Sequence, residues 1–450
     1  MSWKIFIKYY KKYYIRTYGC QMNVADSEIV DAILTSRGYV KVEEMYDADI
    51  VLFNTCSIRE NAERTLLFKL DSVKGLRRQC HRKIVVGILG CMGQLQGEKL
   101  LEHEQIDFIA GPDEYRKLPD IILSFFEDKS HEKELATQLS TCETYSDISP
   151  LYGSAVSAFI PITRGCNNFC SYCVVPYTRG RERSRDVDSI TREIRKLSDG
   201  GCREVTLLGQ NVDSYNYNGY NFAQLLDIVA DVDKHMRIRF LSSHPKDFTK
   251  EVVDIMSKHA NICKYIHLPV QSGSNKILKA MNRPYTREDY LAKVKMIRDV
   301  LGEGVAISTD LMCGFCGETE NDHKETLSLM EEVKFDYSFT FAYSERQGTY
   351  SAEHMNDDVD ATTKKRRLDE LIELQCKHSL LRYEQCIGKE YEILVEGPSK
   401  RNQDEICGRT DTYKMVVCKS EKLNVTDLIG KMIKVKITDC TSATLIGECV

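Results

Sequence analysis

Short apolar runs alternate with amphipathic stretches along most of this 450-residue chain, and this alternation constrains the fold more than any other feature of the sequence. Within residues 1–126, four apolar runs are each followed by a helical pattern. Because strands that alternate with helices form parallel sheets with right-handed crossovers, this part predicts a parallel α/β sheet. The predicted strands are 13–18, 50–54, 83–89 and 106–110, and the predicted helices lie near 24–37, 58–79, 94–104 and 114–126.

A second alternation runs from residue 156 to residue 385. It contains six strand–helix units, so it predicts a partial (β/α)6 barrel whose chemistry lies on the loops that follow the strands. The polar, aperiodic segment 127–155 between the two alternations is interpreted as a linker. The predicted strands are 158–163, 204–208, 238–242, 265–268, 306–312 and 338–343, and the last helix covers 361–385.

The last 65 residues, 386–450, follow a different pattern. Strand-like runs near 392–396, 414–419, 434–438 and 443–448 are separated by turn residues, which predicts a small all-β barrel. The overall fold class is therefore α/β, with an N-terminal domain that resembles a flavodoxin-like sheet, a partial barrel and a C-terminal β-barrel.

Cysteine is unusually abundant, with 18 in the chain. A secreted disulfide scaffold would be short and would carry a signal peptide, whereas residues 1–16 are basic and aromatic without a long apolar core. We therefore expect a cytoplasmic protein with reduced thiols, some of them bound to metal. No stretch approaches the ~18 consecutive apolar residues of a membrane helix. The net charge of −5 does not indicate a general polyanion binder.

Three cysteines follow the first predicted barrel strand with the spacing CxxxCxxC: Cys166, Cys170 and Cys173. Closely spaced thiolates are typical ligands of iron–sulfur clusters, which usually have four. The missing fourth ligand would leave a coordination position open for a substrate or cofactor. Zinc is a weaker alternative because no further Cys or His lies between residues 174 and 200, and three inert core cysteines are a second alternative.

Cys20, Cys56 and Cys91 each lie just after a predicted strand of the first sheet and just before a helix. Since neighbouring parallel strands bring their carboxyl ends to one edge, these thiols can converge although they are far apart in sequence. A helix N-terminus also favours the thiolate form. The pattern favours a second three-cysteine cluster over three unrelated buried cysteines.

The CxxxCxxC loop after the first strand of a partial barrel resembles the radical SAM superfamily, and the full pattern of three regions resembles the methylthiotransferase family within it. This resemblance implies a TRAM-type C-terminal barrel, two [4Fe–4S] clusters and S-adenosylmethionine. Cys166, Cys170 and Cys173 would hold the cluster that cleaves S-adenosylmethionine to a radical. Cys20, Cys56 and Cys91 would hold the cluster that handles the sulfur.

Local motifs are similar to the branch of this family that acts on isopentenylated tRNA. They are NTCSIRE at 54–60, YCVVPYTRGRERSR at 172–185 and LGQNV at 208–212, with the more widely shared HLPVQSGS at 267–274. The implied reaction places a methylthio group at C2 of N6-isopentenyladenosine next to the tRNA anticodon. The alternatives are methylthiolation of threonylcarbamoyl adenosine in tRNA and a non-catalytic iron–sulfur RNA-binding protein. The expected partners are the tRNA anticodon stem-loop, an external electron donor and a sulfur or cluster donor protein, with no membrane.

Contacts with S-adenosylmethionine are expected from side chains near the cluster loop and the ends of the barrel strands, although each of these polar residues has the alternative of capping a helix or closing a turn. No catalytic base is assigned. The expected contacts are Tyr172, Gln210, Asn211, Ser243 and Asp310.

Four arginines within seven residues, Arg179, Arg181, Arg183 and Arg185, are expected to bind RNA phosphates and bases, with a solvated charged face as the alternative.

The residues at 335, 337, 339, 341 and 343 are all aromatic and alternate along a predicted strand, so one face lines either an isoprenoid pocket or the barrel core. The C-terminal barrel is electrically neutral, and its RNA contacts would depend on Lys400, Arg401 and Arg409. Cys313 and Cys316 are expected to be small buried residues, with adventitious cluster ligation as the alternative.

Overall fold

The computed structural model describes residues 11–56, 60–80, 82–127, 132–154, 156–419 and 424–450, and the side chains of residues 60–63 are not among its described features. These residues form two compact units. The first comprises the described residues of Met1–Gly153, Pro161–Asn168 and Cys173–Ser189, and the second comprises the described residues of Ser154–Ile160, Phe169–Tyr172 and Ile190–Val450. None of the helices in the described residues is long and apolar enough to span a membrane.

The first unit contains a six-stranded parallel sheet with strand order β2-β1-β3-β4-β5-β6. The two middle strands, at residues 50–55 and 85–89, are buried along their whole length and are apolar except for Asn54 and Thr55, as expected of a parallel sheet covered on both faces. The strands are β1 (Lys12–Tyr18), β2 (Val40–Lys41), β3 (Ile50–Thr55), β4 (Val85–Leu89), β5 (Phe108–Ala110) and β6 (Glu134–Ala136), and the helices are α1 (Gln21–Ser36), α2 (Glu60–Gln79), α3 (Cys91–Leu101) and α4 (Leu118–Glu127).

This sheet matches the sequence prediction in its four main strands and four helices. The expected linker 127–155 differs from the prediction, because it supplies β6, which pairs in parallel with β5. A three-residue strand in a polar segment has too few positions to show alternation, which explains why the pattern missed it. The order of the first five strands is that of flavodoxin-like sheets, which bind ligands where the strand order reverses, between β1 and β3.

The first unit also contains the segment on either side of the CxxxCxxC loop. Two short strands pair there in antiparallel fashion, with Thr163 opposite Ser184 and Arg164 opposite Arg183. The elements of this segment are β8 (Thr163–Arg164), α5 (Val175–Thr178) and β9 (Arg183–Ser184), while most of the flanking β7 (Ser157–Pro161) and α6 (Val187–Asp199) belongs to the second unit.

The second unit confirms the predicted partial barrel. Its barrel strands form two three-stranded sheets, ordered β13-β10-β7 and β14-β15-β16, and a single bridge joins Ile238 of β13 to Ile262 just before β14. The elements are β10 (Glu204–Leu208), β11 (Asn216–Tyr217), β12 (Tyr220–Asn221), α7 (Phe222–Ala230), β13 (Arg237–Phe240), α8 (Lys250–Lys258), β14 (Tyr265–His267), α9 (Asn275–Ala280), α10 (Arg287–Leu301), β15 (Ala306–Cys313), α11 (Glu320–Val333), β16 (Tyr337–Ala342), α12 (Tyr350–His354) and α13 (Ala361–Glu384).

The C-terminal residues of the second unit form a closed five-stranded barrel in the order β17-β18-β19-β21-β20. Arg239 of β13 attaches this barrel to the partial barrel by donating to the carbonyl oxygens of Thr410 and Asp411, each at 2.7 Å. The predicted runs correspond to four of its strands, and β18 was not predicted. The elements are β17 (Glu390–Pro398), β18 (Glu405–Arg409), β19 (Met415–Lys419), α14 (Val425–Leu428), β20 (Met432–Cys440) and β21 (Leu445–Cys449).

Candidate metal centres

The first candidate centre lies at the carboxyl edge of the parallel sheet. Strands β1, β3 and β4 are neighbours, and their register places Tyr18 beside Thr55 and Asn54 beside Leu89. Cys20, Cys56 and Cys91 follow these strand ends, so the sheet brings together three thiols that are separated by about 35 residues each in sequence. Cys20 is the N-cap residue of α1, and Cys91 is the first residue of α3.

Glycine precedes two of these cysteines because the chain has no room for a side chain there. A Cβ atom on Gly19 would lie 2.7 Å from the Cβ of Cys56. Gly90 has a φ of +87°, a conformation that L-residues rarely adopt. The two glycines therefore allow the strand ends, and the thiols that follow them, to approach each other closely.

The thiols of this first centre differ in their acidity. A hydrogen bond from Cys56 lowers the pKa of Cys20 to about 5, and the charge of Arg179 acts in the same direction. Burial raises the pKa of Cys91, although Arg179 opposes this effect. Thiolates are the form that binds metal, so Arg179 favours the ligating form at both positions.

A buried ionic network lies beside these thiols. The Asp26 carboxylate is fully buried and accepts from Arg164 Nη2 at 2.6 Å and from Arg179 Nη2 at 2.7 Å. Arg179 Nε also donates to the Cys91 sulfur at 3.2 Å. The Tyr115 hydroxyl donates to Asp26 at 3.4 Å. One carboxylate therefore fixes the guanidinium that contacts the third cysteine.

A second polar network joins the start of α1 to the end of β3. The Asn54 side chain donates to the Asn23 carbonyl oxygen at 2.8 Å and to the Ser27 hydroxyl at 2.9 Å, and Asn23 Nδ2 donates to Asn54 Oδ1 at 2.9 Å. Cys20 Sγ donates to Asn23 Oδ1 at 3.3 Å. These bonds fix the backbone around Cys20 and Cys56 independently of any ligand.

The second candidate centre is the CxxxCxxC loop. In the first unit, Cys166 is buried, its backbone N–H donates to the Gly180 carbonyl oxygen at 3.2 Å, and its sulfur accepts from the backbone N–H of Asn168 at 3.5 Å. Cys173 is half-buried. In the second unit, Cys170 is half-buried and its sulfur accepts from Arg283 Nη1 at 3.4 Å.

Arg283 is itself held firmly in the second unit. Its Nη2 donates to the Pro269 carbonyl oxygen and its Nε to the Tyr285 hydroxyl, each at 2.7 Å, and the residue is only 7% exposed. No Asp or Glu of the described chain forms an ion pair with it. The Cys170 sulfur therefore accepts a hydrogen bond from a buried, oriented guanidinium whose charge is balanced by no carboxylate of the described chain.

Three of the expected S-adenosylmethionine contacts, Gln210, Asn211 and Ser243, follow the ends of the neighbouring strands β10 and β13 in the second unit. Gln210 is half-buried after β10. Asn211 donates to Asp247 at 2.7 Å, and Ser243 donates to Asp213 at 3.3 Å. Asp310 lies on β15 with His267 Nε2 at 3.5 Å, and Tyr172 packs edge-on against Phe315.

The structure corrects the expected four-arginine RNA site. Arg179, Arg183 and Arg185 are only 2%, 7% and 4% exposed. Arg179 pairs with Asp26, Arg183 pairs with Asp113 at 2.8 Å, and Arg185 donates to the Pro161 carbonyl oxygen at 3.2 Å. These three guanidiniums are buried and already hydrogen-bonded, so they are not available to phosphates in this structure. Arg181 is exposed, and its contact with RNA stays a prediction.

The aromatic strand β16 and its flanks divide into two sets. Phe335 and Tyr343 are buried and belong to the core. Tyr337, Phe339 and Phe341 alternate along the strand and are 49%, 40% and 43% exposed. These three residues form an accessible apolar face, named here the aromatic face. His267 lies edge-on to Phe339, with ring centroids 5.8 Å apart.

The remaining expectations concern single residues. Cys313 and Cys316 are buried, and burial raises the pKa of the Cys313 thiol to about 12, which disfavours the ligating form. Arg409 pairs with Glu396 and covers the Tyr413 ring, so it belongs to the barrel surface rather than to a free cationic site. Lys400 and Arg401 are exposed, and their contact with RNA stays a prediction. Within the NTCSIRE motif, residues 57–59 lie outside the described residues.

The donor chemistry of the two centres, three cysteine thiols in each, fits iron–sulfur clusters. Among the described residues, no three His, Cys, Asp or Glu side chains are placed to hold one metal ion. Each thiolate of a [4Fe–4S] cluster binds a different iron, so its ligands need not meet at one point. In the first unit, Arg179 Nη1 is buried without a hydrogen-bond partner in the described structure, which suits a site that receives an anionic group.

Three family descriptions match successive parts of the chain. Uncharacterized protein family UPF0004 matches residues 12–111, the Radical SAM superfamily matches 160–330, and the TRAM domain matches 384–450. A relative from Prosthecochloris aestuarii is 50% identical over 442 residues, which cover 98% of each chain. A relative from Phocaeicola vulgatus is 48% identical over 444 residues, which cover 97% of this chain and 96% of the relative. Each carries the name tRNA-2-methylthio-N(6)-dimethylallyladenosine synthase.

The chain belongs to the radical SAM methylthiotransferase family. Among solved structures, a radical S-adenosylmethionine methyltransferase, TsrM, from Kitasatospora setae matches with a TM-score of 0.60 at 14% identity, covering 76% of this methylthiotransferase and 77% of TsrM. At this identity the likeness supports the fold alone.

Sequence reasoning missed two residues of this methylthiotransferase that contact the candidate ligands or their neighbours. Asp26 had a detectable signal, because Asn23, Asp26 and Ser27 place polar groups on one face of α1 directly after Cys20, and all three are buried. Arg283 had no comparable signal. It lies 110 residues after Cys173 in sequence, and only the tertiary fold brings it to the Cys170 sulfur.

Proposed function

We propose that this protein transfers a methylthio group to C2 of N6-isopentenyladenosine next to the anticodon of tRNA, using a radical generated from S-adenosylmethionine. The observation that carries the proposal is the convergence of Cys20, Cys56 and Cys91 at one sheet edge, in a chain that also carries the CxxxCxxC loop. A radical enzyme without sulfur insertion needs only the loop. The second set of thiols supports a reaction that delivers sulfur, as in the relatives' name.

The residues divide the work between two clusters. Cys166, Cys170 and Cys173 hold the cluster that generates the radical, and Cys20, Cys56 and Cys91 hold the cluster that carries the sulfur. When bound, the clusters and S-adenosylmethionine supply the radical and sulfur chemistry that an unactivated aromatic C–H bond requires. The protein's own side chains orient the ligands and exclude water, since most of the surrounding polar groups are buried and bonded to each other.

Polar side chains of the second unit orient S-adenosylmethionine. Gln210, Asn211 and Ser243 lie at the carboxyl ends of neighbouring strands, where partial barrels bind their ligands. Tyr172 and Asp310 complete the set. The existing bonds to Asp213 and Asp247 hold Ser243 and Asn211 in fixed rotamers, which favours a preformed site.

The aromatic face supplies the substrate contact. Tyr337, Phe339 and Phe341 are too exposed for a barrel core, yet they are grouped on one strand beside His267 and Asp310. A prenylated adenine combines an apolar tail with a flat base, and aromatic side chains bind both. This arrangement favours isopentenyladenosine over threonylcarbamoyl adenosine, whose modification is polar and charged.

Further partners follow from the chemistry. The radical step needs an external electron donor, and repeated turnover needs a sulfur or cluster donor protein. The tRNA anticodon stem-loop contacts the exposed cations Arg181, Lys400 and Arg401. The cytoplasm, where thiols remain reduced and tRNA is abundant, is the proposed location.

The test is anaerobic turnover of the reconstituted protein with S-adenosylmethionine, a reductant and tRNA that carries isopentenyladenosine. Mass spectrometry measures 5′-deoxyadenosine and the digested nucleosides in the same samples. We expect both 5′-deoxyadenosine and the methylthio nucleoside. The matched controls are tRNA without the isopentenyl group and tRNA with threonylcarbamoyl adenosine, neither of which should gain a methylthio group.

The other possible results of this turnover experiment point to the alternative functions. Methylthiolation of threonylcarbamoyl adenosine alone would move the protein to the other branch of the family. Release of 5′-deoxyadenosine without methylthiolation of any tRNA would contradict the substrate assignment. A protein with full iron and sulfide content that forms neither product would be a non-catalytic iron–sulfur RNA-binding protein.

A further inference from the structure

Each candidate centre contains one cysteine sulfur that accepts a hydrogen bond from a buried arginine. In the first unit, Arg179 Nε lies 3.2 Å from the Cys91 sulfur. In the second unit, Arg283 Nη1 lies 3.4 Å from the Cys170 sulfur. Both distances are within the range of hydrogen bonds to sulfur, and both arginines are less than a tenth exposed.

Both arginines are buried, and hydrogen bonds hold each guanidinium in one orientation. Three separate groups fix Arg283: the Pro269 carbonyl oxygen, the Tyr285 hydroxyl and the Cys170 sulfur. Arg179 is fixed by Asp26 and the Cys91 sulfur. Burying a guanidinium costs free energy unless an anion or good acceptors compensate it, so its placement against a sulfur needs an explanation.

We propose that Arg179 and Arg283 are the positioning residues of the two clusters, each holding one ligand sulfur through an N–H···S hydrogen bond and stabilising the reduced cluster. This inference rests on the proposed function. A cluster gains negative charge when it is reduced, and an adjacent guanidinium stabilises that charge. Hydrogen bonds to the sulfurs and the net local charge are among the features that set cluster potentials.

The two arginines differ in whether a carboxylate balances their charge. Asp26 balances part of the charge of Arg179, whereas no carboxylate of the described chain pairs with Arg283. Removing Arg283 should therefore change the potential of its cluster more than removing Arg179 changes the potential of the other.

The experiment measures the reduction potential of each cluster by redox titration with electron paramagnetic resonance detection. Two parent chains each keep one cluster: Cys20→Ala/Cys56→Ala/Cys91→Ala keeps the loop cluster, and Cys166→Ala/Cys170→Ala/Cys173→Ala keeps the other. Arg179→Gln and Arg283→Gln are placed in both parents. Arg367→Gln is the control, because Arg367 is equally buried and pairs with Glu318 at 2.8 Å without contacting a candidate ligand.

We expect a crossed pattern. Arg283→Gln should make reduction of the loop cluster at least about tenfold less favourable, which corresponds to a potential about 59 mV more negative for a one-electron couple. It should leave the other cluster unchanged. Arg179→Gln should shift only the cluster of Cys20, Cys56 and Cys91, by a smaller amount, and Arg367→Gln should shift neither.

Two results would overturn the inference: unchanged potentials in variants that keep full iron and sulfide, or equal shifts in both parents from either variant. If a glutamine variant does not fold, Arg283→Lys and Arg179→Lys replace it. Lysine retains the charge but cannot reproduce the guanidinium's bonds, so a potential equal to the parent's would also refute the hydrogen bond. Parent chains that bind no cluster at all would contradict the proposed function instead, and the two failures are thereby distinguished.

Discussion

The two cysteine sites use opposite means to gather three thiols. Cys166, Cys170 and Cys173 lie within eight residues, so one loop delivers them. Cys20, Cys56 and Cys91 are gathered by three neighbouring parallel strands, two close-packed glycines and a buried polar network. The first arrangement depends on local spacing, and the second depends on the whole sheet. Substitutions that destabilise the sheet should therefore affect the site of Cys20, Cys56 and Cys91 more than the CxxxCxxC loop.

The largest expected effects separate the two sites by chemistry. Cys170→Ala should reduce both 5′-deoxyadenosine and the methylthio nucleoside to background, because it removes a ligand of the radical-generating cluster. Cys56→Ala should preserve cleavage of S-adenosylmethionine and stop methylthiolation. Anaerobic turnover with mass spectrometry measures both products. Loss of cleavage in both variants would show that the two sites do not work separately, and Cys376→Ala, at an exposed cysteine on α13, is the control.

A large effect on the free energy of unfolding is expected only at the sheet-edge site of Cys20, Cys56 and Cys91. Asp26→Asn removes the charge that balances Arg164 and Arg179, leaving two buried guanidiniums without their carboxylate. Breaking such a buried network costs about 3–5 kcal/mol. Urea unfolding of the purified protein checks this value.

The control for Asp26→Asn is Asp299→Asn, which breaks an exposed pair with Lys295. Exposed pairs contribute about 0–1 kcal/mol, so this variant should unfold close to the wild-type midpoint. Equal destabilisation by the two substitutions would argue against a specific role of Asp26 at the sheet edge.

A moderate effect is expected at the aromatic face of the second unit. Phe339→Ala should lower kcat/KM for isopentenylated tRNA by about tenfold to a hundredfold, since burying a Phe side chain contributes about 1.5–3 kcal/mol. Steady-state kinetics checks this expectation. Phe68→Ala, at an exposed phenylalanine of α2, is the matched control. If both variants keep the wild-type kcat/KM, the aromatic face does not bind the substrate.

The smallest effect is expected at the surface of the first unit. Arg181 is the exposed member of the four arginines, so Arg181→Ala should weaken tRNA binding a few-fold and reduce the slope of log K against log salt by about 1. Binding titrations at several salt concentrations measure the slope. Glu182→Gln, one residue away, should not reduce it, and a slope unchanged by Arg181→Ala would remove the last of the four clustered arginines from the proposed RNA contact.

Sequence reasoning succeeded where one-dimensional periodicity carries the information. The strand ends before Cys56 and Cys91 were placed correctly because β3 and β4 are buried and consist mainly of apolar residues. The end of β1 before Cys20 was also placed correctly, although β1 is only partly buried, because its aromatic and β-branched residues favour a strand. It failed for Arg179, Arg183 and Arg185, because a run of charges shows neither burial nor the distant carboxylates, Asp26 and Asp113, that neutralise it. It also missed β6, which has only three residues in a polar segment. It missed β18 because Gly408 takes one of its two inward positions and leaves Ile406 as the one large apolar side chain on that face.

Two cysteine sites imply that this chain holds two separate clusters, one at each site. Iron and sulfide analysis of anaerobically reconstituted protein tests this number. We expect about eight irons per wild-type chain, because two [4Fe–4S] clusters hold four each, and about half that amount in the Cys20→Ala/Cys56→Ala/Cys91→Ala chain. An unchanged iron content in that variant would contradict the claim, since the three thiols at the sheet edge would then hold no cluster.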